Sequence, residues 1–193
     1  MFIKTERLLI RRFEFKDWQA VHEYTSDINV MKYIPEGVFT EENTRNFVNE
    51  NIGENAKNFP VVLIDRDILI GHIVFHKYFG EHTYEIGWVF NPKYFNKGYA
   101  SEAAQATLKY GFKEMKLHRI IATCQPQNTP SYRVMEKIGM RREGYFRRRV
   151  VFQNASFKLT LLFLNRQVDY LYWGFLLLKA KFIFSIADVQ NFV

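Results

Sequence analysis

Apolar positions change period several times along this chain, and each change marks an element. From Thr5 to Phe13 they alternate around Leu8 and Ile10, which predicts a strand. Asp17 then opens a short helix that carries Trp18, Val21 and Tyr24. Thr40 has the chemistry of a helix N-cap, with Glu41 and Glu42 in a first turn where the helix dipole favours acids, and Phe47, Val48 and Ile52 follow at helical spacing. Pro60 to Ile64 and Ile68 to Phe75 flank the polar turn Asp65-Arg66-Asp67 as a hairpin, and Thr83 to Phe90 adds a strand after the Gly80 loop. The order to this point is β-α-α-β-β-β.

Pro92 ends that last strand. Ala100, Ala104, Leu108, Phe112 and Met115 then recur every three or four residues, one apolar helix face predicted to pack on the sheet. His118 to Cys124 is a short β-rich run. Thr129 is the expected N-cap of the next helix, with Pro130 at its first position, Val134, Met135 and Ile138 apolar, and Gly139 just past its end. Met140 to Gln153 is strand-like again. The pattern predicts an α/β chain with a central mixed, twisted sheet and helices on both faces.

Phe157, Leu159, Leu161 and Phe163 alternate as a further strand would. Residues 168–189 are strongly apolar but carry Asp169, Lys179 and Lys181, and the longest uncharged stretch, Tyr170 to Leu178, falls well short of the ~20 residues that span a bilayer. No transmembrane helix is expected. The predicted organisation is one domain over residues 1–164 followed by an atypical apolar tail, residues 165–193. The tail reads as an interfacial or dimer-contact helix, or as a segment with no selected role such as a changed reading frame leaves.

Composition narrows the class. A chain of 193 residues with 48% apolar content is long enough for one well-buried core and short for two. Its single cysteine, Cys124, excludes an intramolecular disulfide, and neither a CxxC nor a His-x-x-x-His pair is read as offering metal-ligand spacing, so no metal is expected. Met1 to Arg7 mixes acid and base without the apolar run of a secretion signal, so a reducing cytoplasm is the expected compartment. The formal net charge of +7 fits nucleic acid, anionic lipid or an anionic cofactor, and much of it sits in Arg141-Arg142 and Arg147-Arg148-Arg149. No signature of a nucleic-acid module accompanies those arginines, which disfavours nucleic acid as a partner. A basic ribosome- or RNA-associated protein and a membrane-peripheral protein stand as the alternative readings.

Candidate chemistry concentrates in Asn91 to Phe112. A helix that starts Gly98-Tyr99-Ala100-Ser101 has an uncrowded N-terminus, with free N–H groups and the positive end of its dipole facing outward, and this suits an anion. The segment is neither a Walker A loop, since Gly-Lys-Ser/Thr is missing, nor a dinucleotide fingerprint, since GxGxxG is missing.

Three segments read together are more specific: Thr5-Glu6-Arg7-Leu8-Leu9-Ile10-Arg11; Glu85-Ile86-Gly87-Trp88-Val89 through Lys97-Gly98-Tyr99-Ala100-Ser101-Glu102-Ala103; and Asn128-Thr129-Pro130-Ser131 to Lys137-Ile138-Gly139-Met140. In this order the chain resembles GNAT N-acetyltransferases of the RimJ/RimL-like branch, from about Phe2 to about Phe152. The resemblance implies the GNAT fold, acetyl-CoA as co-substrate, and direct transfer of acetyl to a primary amine in a ternary complex. The family's phosphate loop begins with Gln or Arg where Phe95 stands here, while Gly98 and Ala100 match. The resemblance implies pyrophosphate binding at Asn96, Lys97, Gly98, Tyr99, Ala100 and Ser101, and pantetheine pairing at Trp88, Val89 and Phe90. It also implies a pantetheine-binding or helix-starting role for Asn128, a carboxylate base at Glu85 and an acid hydroxyl at Ser131. Met135 stands where many members carry a tyrosine acid.

His72, His76, His82 and His118 are alternative bases or structural residues. Cys124 has no evident histidine partner, so covalent catalysis is not expected. The expected acceptor wall is Met31 to Gly37. Members of the branch acetylate protein N-termini, amino acids, polyamines or drugs, and the positive charge of this chain disfavours a polycation. Homodimers are common in the family, an assembly that this sequence neither requires nor excludes.

Overall fold

Residues 1–152 and 155–165 are described by the structure, a computed structural model, with backbone alone from residue 145 onward. The expectations for residues 166–193 lie outside the described residues.

The single strand expected from Thr5 to Phe13 is instead two short ones, β1 (Ile3–Lys4) and β2 (Leu8–Ile10). The cause is local. The Thr5 hydroxyl accepts the Leu8 N–H at 2.9 Å and the Thr5 N–H donates to the Leu8 carbonyl at 2.9 Å, a tight turn that folds β1 back antiparallel to β2. Helices α1 (Trp18–Thr25), α2 (Ile28–Met31) and α3 (Glu41–Glu50) follow. Thr40 caps α3 as expected, its hydroxyl accepting the Asn43 N–H at 3.1 Å while the Asn43 side chain accepts the Thr40 N–H at 3.3 Å.

Strands β3 (Asn58–Leu63), β4 (Ile68–Lys77) and β5 (Thr83–Phe90) form an antiparallel meander. Helix α4 (Tyr99–Lys113) crosses to β6 (Arg119–Cys124), which pairs parallel with β5. Helix α5 (Thr129–Lys137) leads to β7 (Arg141–Phe152) and β8 (Ala155–Asn165). β8 returns as a hairpin and inserts between β6 and β7, giving the eight-stranded order β1-β2-β3-β4-β5-β6-β8-β7. The alternation at Phe157 to Phe163 therefore does build a strand, inside the sheet.

The pleat sends alternate residues to two cores, so helices cover both faces as expected. Val61, Leu63, Ile86 and Phe90 join Ala103, Ala104, Leu108 and Met135 beneath α4 and α5. Val62, Leu69 and Val89 join Val21, Tyr24, Met31 and Val48 beneath α1 to α3. The buried stripe of α4 runs through Ala103, Ala104, Thr107, Leu108 and Gly111, rotated from the predicted one; Ala100 and Phe112 lie only half-buried at its margin, and Met115 falls beyond the helix end. Small residues there bring the helix close: a Cβ on Gly111 would stand 2.8 Å from Ile120 Cδ1 and 3.1 Å from Phe75 Cζ. Close approach recurs between β4 and β5, where a Cβ on Gly71 would meet the Val89 carbonyl at 2.5 Å.

Candidate active site

β5 and β6 pair only from Thr83 to Glu85 against Arg119 to Ile121. β5 then keeps its partner β4 as far as Phe90, while β6 continues against β8, so the two parallel strands part in a V. Among the described residues the backbone edge of β5 that faces the opening has no strand partner beyond Glu85, which suits an extended ligand arm.

Two helices start on this opening. After β5 the chain turns through Asn91, a buried residue whose side chain accepts the Lys93 N–H at 3.1 Å and donates to Glu23 of α1 at 3.2 Å. It then reaches Asn96 and Gly98, both left-handed with φ of 60° and 80°. Gly98 is the N-cap of α4 and brings no capping side chain. The first bond of the helix runs from the Glu102 N–H to the Gly98 carbonyl, 3.0 Å, which leaves the N–H groups of Tyr99, Ala100 and Ser101 pointing out of the helix end. A row of free amides at a dipole's positive end fits a phosphate.

At the start of α5, Asn128 is the cap, one residue earlier than the Thr129 expected. Its side chain accepts the Ser131 N–H at 3.3 Å, with proline in the first turn behind it. Because Asn128 does the capping, the Ser131 hydroxyl is not used for it and makes no hydrogen bond among the described residues. The helix ends as expected at Gly139, φ 77°, where the Met140 N–H reaches the Met135 carbonyl and the Gly139 N–H that of Glu136, each at 3.0 Å.

Both helix ends open on one cleft of about 650 Å3, within the range of small-ligand sites. Trp88, Val89, Phe90, Asn96, Gly98, Tyr99, Ala100, Ser101, Asn128 and Ser131 all line it. Two expected site residues do not. Lys97 turns its carbonyl to Arg7 Nη1 at 3.2 Å and its ammonium over the Tyr94 ring at 5.6 Å. Glu85 stands at the apex of the V, in the last residue pair before the strands part, where its carboxylate accepts the Thr123 hydroxyl at 3.0 Å and lies 3.8 Å from His76 Nε2.

The acceptor wall is only partly as expected: Lys32, Tyr33 and Ile34 line the cleft together with Asn29 and Val30, while Met31 is buried in the core. The wall is tied across the opening by a pair of bonds that local sequence does not reveal, Tyr33 hydroxyl to Gln127 carbonyl at 3.2 Å and Gln125 Nε2 to Tyr33 carbonyl at 3.1 Å. Arg133 and Lys137 also line the cleft. Their i,i+4 spacing on α5 was the available signal for a shared face.

No histidine lines the cleft and neither does Cys124, although His76 approaches the Glu85 carboxylate. His72 and His76 do have His-x-x-x-His spacing, against the expectation of no metal-ligand pattern. On an extended strand that spacing separates them by about 13 Å, at ~3.3 Å per residue. His72 is buried, with Nδ1 2.8 Å from the Tyr24 hydroxyl, and burial pushes its pKa down to about 3. His82 and His118 stack on each other with centroids 4.9 Å apart. Cys124 is buried, and desolvation raises its thiol to about 11 against the opposing pull of Arg142, which disfavours the thiolate that nucleophilic attack needs. Among the described residues no cluster of three or more metal-ligating side chains occurs, and no helix is long and apolar enough to cross a membrane.

Comparison with known proteins gives a consistent result. Residues 7–141 match the family profile of an acetyltransferase (GNAT) domain. Over 148 residues, 77% of this chain and 87% of the relative, the sequence is 79% identical to YnaD, an uncharacterized N-acetyltransferase of Bacillus subtilis (strain 168). The fold superposes with a TM-score of 0.83 and 79% identity on the crystal structure of a GNAT-family acetyltransferase from Bacillus anthracis, covering 86% of this chain and 98% of that one. RimL, a ribosomal L7/L12 α-N-protein acetyltransferase in complex with coenzyme A, shares the fold at 17% identity and a TM-score of 0.73, over 88% of this chain and 100% of its own.

Proposed function

Since the chain belongs to the GNAT acetyltransferase family, we propose that its cleft binds acetyl-CoA and passes the acetyl group directly to a primary amine, on a protein N-terminus or a small molecule. The observation that carries this reading is the convergence of two helix N-termini on the opening between β5 and β6. Acetyl-CoA supplies an activated thioester and a thiolate leaving group. The amides of Tyr99, Ala100 and Ser101 hold the pyrophosphate, the free edge of β5 at Trp88 to Phe90 pairs with the pantetheine arm, and Asn128 fixes the start of α5. Replacement of the family's Gln or Arg by Phe95 leaves this binding intact, because backbone amides do the work.

Ser131 is the proposed acid. Its free hydroxyl lines the cleft at a helix N-terminus, where O–H and dipole both favour negative charge developing on sulfur. Glu85 is the proposed base. From the apex it takes one proton of the bound ammonium through an intervening water, leaving a neutral amine to attack, while Thr123 holds the carboxylate in place. The neutral nitrogen bonds to the acyl carbon as the carbon–sulfur bond breaks; Ser131 gives its proton to sulfur, and the second proton shed by the acylated nitrogen returns to the Ser131 oxygen. Residues 1–164 suffice for this chemistry in the proposed organisation. Calorimetric titration with acetyl-CoA, followed by a screen of amines, tests the reading. Saturable one-site binding is expected, and a folded protein that does not bind overturns it.

A further inference from the structure

Arg7 belongs to a sequence motif that the chemistry above leaves unused. It follows β1, far in sequence from α4, yet it grips the back of the loop whose amides face the cleft. Its Nε donates to Glu102 Oε2 at 2.7 Å and its backbone N–H to Glu102 Oε1 at 3.3 Å. The Thr5 hydroxyl adds a bond to Oε1 at 2.6 Å. Arg7 Nη1 reaches the Lys97 carbonyl at 3.2 Å, and the guanidinium lies 4.6 Å from the centroid of the Tyr99 ring. One planar cation thus holds the residue before Gly98, the residue after it, and the acid of the first helical turn.

Glu102 makes this arrangement consequential. A carboxylate in the first turn of α4 complements the dipole in the free helix, but it competes with a phosphate for the same positive end. Burial disfavours its ionised form, yet the bonds from Thr5 and Arg7 outweigh this and hold its carboxyl below the ordinary value. Glu102 is therefore charged, beside a site built for an anion.

Resting on the acetyl-CoA reading, we propose that Arg7 is a positioning residue for the cofactor loop: it neutralises Glu102 and ties the Lys97 carbonyl back, so that the amides after Gly98 face a phosphate without a competing carboxylate. Arg7 does not line the cleft. Its effect is confined to acetyl-CoA binding and leaves the chemical step and the acceptor untouched.

The test is calorimetric titration with acetyl-CoA, alongside thermal melts, of the wild type, Arg7→Ala, Arg7→Gln, Glu102→Gln and the double variant Arg7→Ala/Glu102→Gln. Arg7→Ala and Arg7→Gln raise Kd about tenfold, the effect of one uncompensated charge worth ~1.4 kcal/mol. Glu102→Gln changes Kd by less than about threefold, and the double variant returns to within about threefold of the wild type. In steady-state assays the single Arg7 variants raise KM for acetyl-CoA and keep kcat and the acceptor KM. If Arg7→Ala melts below the assay temperature, Arg7→Gln carries the comparison. A double variant as weak as Arg7→Ala overturns neutralisation, and Arg7 variants with wild-type Kd overturn the proposal. Wild-type protein that melts cooperatively but binds no acetyl-CoA refutes the reading underneath, a result distinct from any difference among variants.

Discussion

Ser131 and its neighbour Asn128 divide two tasks that sequence alone leaves tangled. Serine in a first helical turn is usually occupied with capping. Here Asn128 accepts the Ser131 N–H and frees the hydroxyl for the cleft. Ser131→Ala should lower kcat by about 100-fold, the lower end of general-acid effects, with the acetyl-CoA Kd unchanged; an unaltered kcat removes the acid role. His72 makes a different prediction. Buried neutral with a pKa of about 3, it takes up no proton in the fold, whereas the unfolded chain protonates it below pH 6.5. Stability is therefore undiminished by His72 above pH 6.5 and falls by about 1.4 kcal/mol per pH unit as pH drops toward 3. Urea unfolding at pH 7 and pH 5 should show that slope in the wild type. It should be flattened in His72→Leu/Tyr24→Phe, which removes both hydrogen-bonding partners together.

At the scale of elements, the start of α4 carries the strongest requirement. Gly98 sits at φ 80°, which an L side chain adopts only with strain, and it opens the row of free amides. Gly98→Glu adds that strain and an anion where an anion must bind. We expect acetyl-CoA affinity to fall at least about 100-fold with the fold retained, and unchanged affinity would remove the phosphate assignment from this loop. The start of this helix was legible because small residues after an aromatic run are a local pattern. Its buried stripe was misjudged by a fraction of a turn, since Gly111 and Thr107 face the sheet for reasons of closeness and volume that hydropathy does not encode. The break between β1 and β2 was missed for a related reason: alternation continues through Thr5 to Ile10, and only hydrogen bonding by the Thr5 side chain interrupts it.

For the molecule as a whole, β8 is the informative strand. It forms between β6 and β7 from a segment beyond the residues that match the family profile, where apolar alternation alone marks the strand. We propose that residues beyond this strand have no part in cofactor binding. Deleting residues 168–193 should leave the acetyl-CoA Kd within about twofold of the full chain, and a lost affinity on truncation would assign the tail a role. Sequence by itself determined the order of elements, the α4 and α5 starts and the family, because periodicity, caps and loop glycines act over a few neighbouring residues. Only the tertiary structure decided that Glu85 stands at the apex and not on the cleft wall, that Tyr33 is tied to Gln125 and Gln127, and that Arg7 reaches Glu102. Those relations join residues tens of positions apart, and they exist only once strand register and helix packing have set the distances between side chains that have no local reason to meet.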